Sequence, residues 1–520
     1  MRILALALLL QASAFARPAA GADHPLTLDE AIHRALEKNE DLVIEREAYS
    51  AAGASLGGAR GAYDPLVQLD GAWSRSNQPL GSFLYGLSPN LIAPEVKSTE
   101  AGLSIQQLLP TGGGLSLRAR GARETTGGGV SLLSPAYSTQ VGVELRQPLL
   151  RDRATDAARR TVRVARADRE GAAASLRRAV SETVAAVERA YWGLVDARLE
   201  VGVREEAVRL AEEQLSDTQE RVQNGSAPQT ELAQPRAELE RRRGELLGSR
   251  ETLARAENDL KLLILDGAGD ALWADPLVPV EDAAMEVTPV DVAAALQRAL
   301  SARPELAQSD AVVNRRRAEA AFARDGVLPN LDAVVSYDRF GLAGSSSAGG
   351  SASGLPPGLE GNLGDSFESL GDGDYDAARF ALVLGFPIGN RAARGEAAVA
   401  AHVERQAEAD RARVRKAIRA EVLDAAAALD AAGQRIAAAR SGREAAEIQL
   451  SAEKERYATG LSTNFLVLTR QNDLSRARLD EISALTDYRT ARAEMSRATG
   501  SLIEEHGIQV GDTPQKGGSK

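Results

Sequence analysis

Arg456-Tyr457-Ala458-Thr459-Gly460-Leu461-Ser462-Thr463-Asn464 is the one interruption in a long helical pattern. Upstream, apolar residues recur three and four apart through Ile418, Val422, Leu429, Ile436, Ile448 and Leu450. Downstream the pattern resumes at Phe465, Leu468, Leu474, Leu479, Ile482 and Leu485. That spacing is one face of a helix. Gly460 suits a left-handed helix end, and Ser462, Thr463 and Asn464 suit a new start. The stretch therefore predicts two long antiparallel helices over 391–500, joined by a tight tip.

The first half of the chain has a counterpart. Arg221-Val222-Gln223-Asn224-Gly225-Ser226-Ala227-Pro228 separates helical stretches over about 154–223 and 229–264. Arg221 and Gly225 match Arg456 and Gly460 at the same offset. Pro228 suits the first turn of the next helix. At 1.5 Å per residue the earlier stretch is roughly 100 Å long if straight. A helix of that length has to lie against other long helices.

The duplication extends beyond the hairpins. Thr27 is a helix cap with Glu30 three residues on, the spacing of a capping box. The helix it opens is read as continuing to Tyr63, with a break near Gly57-Gly58. A shift of 264 residues brings Ala31, Ile32, Ala35, Leu36 and Leu42 onto Ala295, Leu296, Ala299, Leu300 and Leu306, and Arg60 and Pro65 onto Arg324 and Pro329. After each proline the period changes to two. Val67, Leu69, Gly71 and Trp73 alternate with polar or small residues, as do Leu331, Ala333, Val335 and Tyr337. This alternation predicts strands with one apolar face. Return strands end at Gln147-Pro148 and Phe386-Pro387, so Pro65, Pro148, Pro329 and Pro387 are the expected strand–helix junctions.

The expected strands are 66–76, 99–109, 113–123 and 138–147 in the first repeat (26–264), and 330–340 and 377–386 in the second (289–500). Residues 265–288 read as a linker, the Gly/Ser-rich segment 341–376 as a flexible loop, and 501–520 as a mobile tail. Both strand counts are even, so each repeat returns to the side of its helices. The short turn 110–114 falls on that side, and the longer loops 77–98, 124–137 and 341–376 on the other. Membrane barrels show this asymmetry, and they start at eight strands. Six strands therefore imply a barrel shared between subunits. The fold class is mainly α with membrane β: duplicated long antiparallel helical hairpins joined to a transmembrane β-barrel.

Composition fits. Hydrophobic residues make up 44% but aromatics only 4%, and Ala-rich, Glu/Arg-rich periodic sequence suits packed long helices. A formal charge of −11 argues against nucleic acid, which needs clustered cations. Arg2, the apolar run Ile3 to Leu10 and Ala14-Phe15-Ala16 read as a secretory signal over 1–16, with cleavage as late as Ala22. There are no cysteines, so no disulfide, thiol nucleophile or lipid-modified cysteine is expected. The histidines at 24, 33, 402 and 506 are scattered. No zinc spacing, phosphate loop or nucleophile elbow occurs, so no metal, cofactor or catalytic set is expected, and the chain reads as a non-enzyme.

The order of these features, with Leu28-Asp29-Glu30-Ala31, Arg456-Tyr457…Gly460, and Leu474…Ala477…Tyr488…Leu502, resembles the TolC family of outer-membrane efflux proteins over Leu26 to Gly500. The resemblance implies a homotrimer in the outer membrane of a Gram-negative bacterium, with a large periplasmic part. Four helical strands per subunit would form an α-barrel leading into the shared β-barrel. The implied role is a passive exit duct of a tripartite efflux pump or type I secretion system. A periplasmic adaptor (membrane fusion) protein would couple it to an inner-membrane RND or ABC pump, and outer-membrane lipid would surround the strands. Family members usually give four strands per subunit. Six imply a wider barrel, or a 99–123 pair folded as a rim hairpin.

By position, the adaptor-docking tips are Asn224, Gly225, Ser226 and Ala227 and then Gly460, Leu461 and Ser462. The family's acidic gate positions fall on Leu466 and Thr469, and its gate arginine on Ser462, so that chemistry is not preserved. Glu231 aligns with an acidic gate position. It is either a negative ring in a trimer or a solvated first-turn carboxylate. The competing reading is a periplasmic coiled-coil or adaptor protein with no barrel of its own. The alternating stretches after Pro65 and Pro329 argue against it.

Overall fold

The computed structural model describes residues 23–78, 93–127, 131–267, 269–283, 286–347 and 359–510. The expected signal segment 1–22 lies outside them. In chain order the first repeat holds β1 (His24–Leu26), α1 (Leu28–Lys38), α2 (Glu40–Arg60), β2 (Leu66–Asn77), β3 (Glu95–Leu108), β4 (Gly114–Thr126), β5 (Leu133–Pro148), α3 (Ala157–Gln223) and α4 (Ala233–Ile264). Then come β6 (Leu277–Pro279), α5 (Val292–Ala302), α6 (Pro304–Asp325), β7 (Asn330–Ser346), α7 (Leu363–Asp372), β8 (Tyr375–Gly385), α8 (Arg391–Ala458), α9 (Asn464–Thr499) and α10 (Leu502–Glu505).

Two compact units result. One takes residues up to 49, 172–308 and 412 onward, and the other takes 50–171 and 309–411. The first unit is helical, and its core is built twice. Ala31, Ile32, Ala35 and Leu42 pack with Val184, Val187, Tyr191 and Trp192 of α3 and with Leu260 and Ile264 of α4. Their duplicates Ala295, Leu296, Ala299 and Leu306 pack with Ile418, Val422 and Leu429 of α8 and with Tyr488 and Met495 of α9. Small side chains on the inner faces let these helices approach closely.

The duplication also fixes the helix breaks. Asn39 and Arg303, 264 residues apart, end α1 and α5 with the same extended backbone (φ −65, ψ 124). Each reaches the last turn of its own hairpin, Asn39 donating to the Leu263 carbonyl (3.4 Å) and Arg303 to that of Ala498 (3.1 Å). The break expected at Gly57-Gly58 is not there. Helix α2 runs through both glycines to Arg60, and the chain breaks instead at Asn39, whose side chain accepts from the amides of Asp41 and Leu42. A side chain able to cap two free amides outweighs glycine's cost of about 1 kcal/mol in a helix. Thr27 caps α1 through the Glu30 amide (3.1 Å). The Glu30 carboxylate turns instead to Arg34 (2.8 Å).

Two further expectations are corrected. The segment 265–288 is more than a linker: β6 pairs in parallel with β1, and Tyr191 Oη donates to the Leu26 carbonyl and accepts from the Val280 amide. The tail expected to be mobile from 501 is held down over its first ten residues. Leu502 of α10 is buried in the first core, Ile508 and Val510 pack on it, and His506 meets Glu188 at 2.5 Å. Residues 511–520 lie outside the described residues.

The second unit carries one six-stranded antiparallel sheet in the order β2-β3-β4-β5-β7-β8. The 99–123 pair is part of it, β3 and β4 pairing continuously between β2 and β5. Several strands outrun their expected bounds, β7 by six residues. The 341–376 segment is corrected as well, because α7 lies within it. Its Asn362 cap accepts from the Gly364 amide (2.7 Å), and Asp365 returns the contact to the Asn362 amide (2.6 Å). Residues 348–358 lie outside the described residues.

Pro65 and Pro329 directly precede β2 and β7. Pro387 lies between β8 and α8, where Gly389 (φ +82) and Asn390 (φ +40) turn the chain. Pro148 departs from expectation. It stays within β5, opposite Asp332, and α3 starts only at Ala157. The Leu149 amide donates to Leu331 of β7, so the Pro148 nitrogen faces the other side, where β4 has already begun at Gly114. No ladder bond is lost.

Candidate functional site

The ladder registers set the two faces of the sheet. One face stacks Leu69, Leu103, Ala119 and Val141 across four strands, and Val67, Ile105, Leu117, Val143 and Tyr337 across five. Phe380, Leu382 and Leu384 of β8 join it opposite Val335, Ala333 and Leu331. Many of these side chains are exposed, Leu69 at 79%. Helix α7 lies over part of this face, and the exposed remainder is an apolar patch large enough to need a cover.

The other face carries the charges. By register it holds Asp70, Glu100, Glu124, Glu144, Asp332 and Asp338, with Arg118, Arg120, Arg146 and Arg379. Arg118 meets Glu144 at 2.8 Å, Arg120 pairs with Glu100, and Arg146 with Asp332. A recess of about 580 Å³ opens between Glu100, Arg120, Glu124, Gln140, Phe340 and Tyr375. One face suited to lipid and one to water, on strands 11 to 17 residues long, is the property of a transmembrane barrel wall.

The hairpin tips repeat one geometry. At the first, Gly225 has φ +73, and the Ser226 amide donates to the Arg221 carbonyl (2.8 Å). At the second, Gly460 has φ +76, and the Leu461 amide donates to the Arg456 carbonyl (2.8 Å). Both are Schellman ends, which explains the shared Arg-to-Gly offset. Asn224, Gly225 and Ser226 are exposed and Ala227 half-buried. Leu461 is 80% exposed, and Phe465 and Leu466 continue an apolar strip beside it. Ser462 is turned inward, its hydroxyl donating to the buried Glu453. Thr469 bonds its own helix at Phe465 (2.8 Å).

Glu231 sits in a 3-10 turn over Gln229–Leu232, exposed, with no ion pair among the described residues. The structure also joins the two hairpins through residues that sequence reading did not single out as contacts. The Arg221 guanidinium bonds Tyr457 Oη and lies 5.4 Å from its ring. Farther along, buried Arg242 bonds Glu238 (2.9 Å) and reaches Asn472 of α9. Burial pushes the Glu238 carboxyl up, but Arg241 and Arg242 outweigh it and hold the group below the usual carboxylate range. The signal available in sequence was the arginine repeated four residues before each tip glycine, Arg221 before Gly225 and Arg456 before Gly460.

Among the described residues no helix is long and apolar enough to cross a membrane. The family model of outer membrane efflux proteins matches residues 114–264 and 295–501. The chain belongs to the outer membrane efflux protein family. No curated protein matches it. Solved structures that do match include a membrane protein from Pseudomonas aeruginosa (20% identity, TM-score 0.62, covering 91% of this chain and 93% of that one). The Campylobacter jejuni CmeC outer membrane channel matches at 16% identity and TM-score 0.62, covering 93% and 90%. The open Neisseria gonorrhoeae MtrE outer membrane channel matches at 17% and 0.61, covering 91% and 89%. This efflux protein is an exit duct of the outer membrane, with long periplasmic helices and a strand wall.

Proposed function

We propose that three copies of this efflux protein form the duct, each contributing six strands to one barrel. The observation that carries this is the pair of open edges: β2 and β8 end the sheet, and neither has a further partner among the described residues. An open edge cannot face lipid, because its amides and carbonyls would go unsatisfied. Closing six strands on themselves falls below the smallest barrels of this class. Pairing β2 of one copy with β8 of the next satisfies both edges and makes eighteen strands.

In this arrangement the apolar face meets lipid and the charged face lines the water-filled lumen. The far ends of the strands, away from Pro65 and Pro329, lie outside the cell. The tips at Gly225 and Gly460 point into the periplasm and dock a periplasmic adaptor, with Leu461, Phe465 and Leu466 as the apolar contact. The adaptor joins the duct to an inner-membrane RND or ABC pump, which supplies the energy. Three copies of Glu231 near the tips set a negative ring that favours cations.

The test is the native mass of protein extracted from the outer membrane in mild detergent. A mass of three chains is expected. A mass of one or two chains, or absence from that membrane, removes the shared barrel.

A further inference from the structure

At the end of the strands remote from Pro65 and Pro329, the apolar face changes character. The next row across four strands is Gly71, Ala101, Gly121 and Thr139, continuing to Gly341 on β7. Helix α7 occupies part of this row of small residues. Thr139 Oγ1 donates to the Ser366 carbonyl (2.9 Å), and Leu363 reaches over Gly121. Beyond it the register brings Trp73, Thr99, Arg123 and Tyr137 into line, and then Arg75 opposite Lys97.

That placement is costly to the sheet alone, since like charges directly opposite on neighbouring strands repel. Glu95 offsets only part of it, pairing with Arg75 and with Lys97 (3.3 Å). Arg123 is exposed and has no hydrogen-bond or ion-pair partner among the described residues. On this face of these strands three cations therefore share one strand carboxylate. The contrast elsewhere is sharp. The lumenal face carries more acids than arginines, and lower on the lipid face Arg339 and Asp376 sit opposite each other and cancel.

Down the same strands from Arg123 lies an apolar groove of about 460 Å³. Leu103, Ile105, Leu117, Val141 and Val143 line its floor, with Leu370 of α7 and the side chains of Arg118 and Arg339 at its margins. Arg123 is four residues from Ala119 and six from Leu117, so it stands roughly 13 to 20 Å from the groove along β4, and Arg75 and Lys97 lie one same-face row farther out. Cations and aromatic rings at one end with an apolar trough below are the complement of a phosphorylated lipid: phosphate above, acyl chain beneath. The position matches as well, because the row carrying Trp73 and Tyr137 is where an aromatic girdle meets the headgroups.

We propose that Arg75, Lys97 and Arg123 bind the phosphates of an anionic, polyacylated lipid of the outer leaflet, one acyl chain lying in the Leu103–Leu117 groove. This rests on the reading that the sheet spans the membrane with this face toward lipid. A bound lipid here would fix the depth of the barrel at its outer rim. The phosphate oxygens accept from the guanidinium and ammonium groups and screen the repulsion between them.

The test uses the full chain in neutral detergent, titrated with diphosphoryl lipid A and followed by native mass spectrometry. The wild type binds the lipid. Arg75→Gln/Lys97→Gln/Arg123→Gln binds it at least about tenfold more weakly, equivalent to one decade in Kd. Arg75→Lys/Arg123→Lys keeps the charge and retains binding. Arg120→Gln, on the lumenal face, leaves binding unchanged. Phosphatidylethanolamine binds no better than lipid A binds the triple variant. The proposal is overturned if the triple variant binds like the wild type, if phosphatidylethanolamine binds equally well, or if inorganic phosphate displaces the lipid and so marks a plain anion site. A wild-type chain that is trimeric in the outer membrane yet shows any of those results loses the lipid patch alone. A chain absent from that membrane loses the barrel reading itself.

Discussion

Arg303 shows how a duplicated position acquires a second task. Its counterpart Asn39 ends a helix and bonds one carbonyl, whereas Arg303 does that and also joins a buried ion network with Glu305 (2.7 Å) and Glu421 (2.9 Å). Burial alone would push the guanidinium down, but the two carboxylates outweigh it and hold it up, and Glu305 is held below the usual carboxylate range. Arg303→Ala leaves Glu305 without its partner and is expected to cost about 3 kcal/mol, read as a lower urea midpoint of the helical signal. A midpoint within error of the wild type would show the network to be idle. His506 makes a pH-dependent contact of the same kind. The Glu188 carboxylate at 2.5 Å raises its pKa, burial opposes this, and Asp29 at 3.6 Å adds to the rise. A pKa raised on folding stabilises fully below the unfolded value of about 6.5 and is lost as pH climbs through the folded value. The melting-temperature gap between wild type and His506→Gln should be widest near pH 6 and close toward pH 9. A gap that widens with pH would contradict the assignment.

Among the elements, what sequence made legible was whatever repeats or runs long. The two hairpins, their tips, all six strands and the 264-residue duplication carry enough periods to be read. The core residues Ala31, Ile32, Ala35 and Leu42 and their partners were legible because they align without a gap. Elements held by tertiary contact were not. Strands β1 and β6 have three residues each, too short for any period to show. Helix α10 has four and is kept in place by Leu502 and His506, contacts with residues more than 200 positions away. Helix α7 was hidden in a Gly/Ser-rich setting, although Asn362 and Asp365 are a capping pair. Its seat depends on Gly341, where an added Cβ would clash with the Ser366 carbonyl oxygen and the Leu370 amide. Gly341→Ala should therefore unseat α7 while leaving the sheet paired, seen as faster amide exchange over 363–372 only. Unchanged exchange there would mean that the helix does not need the small-residue row.

For the whole molecule, Glu231 and the strand edges carry the claims that reach function. The Glu231→Gln channel is expected to lose cation preference in planar bilayers, by reversal potential under a salt gradient. An unchanged potential would leave Glu231 as a solvated first-turn carboxylate. The central claim, three chains closing one barrel, is tested most directly at the edges themselves. The chain has no cysteine, so one engineered in β2 and one in β8 are its only thiols. Such pairs can be walked over 67–73 and 378–384 and oxidised in intact outer membranes. A covalent three-chain species in at least one register is predicted. A disulfide formed within single chains, or none in any register, would contradict the shared barrel.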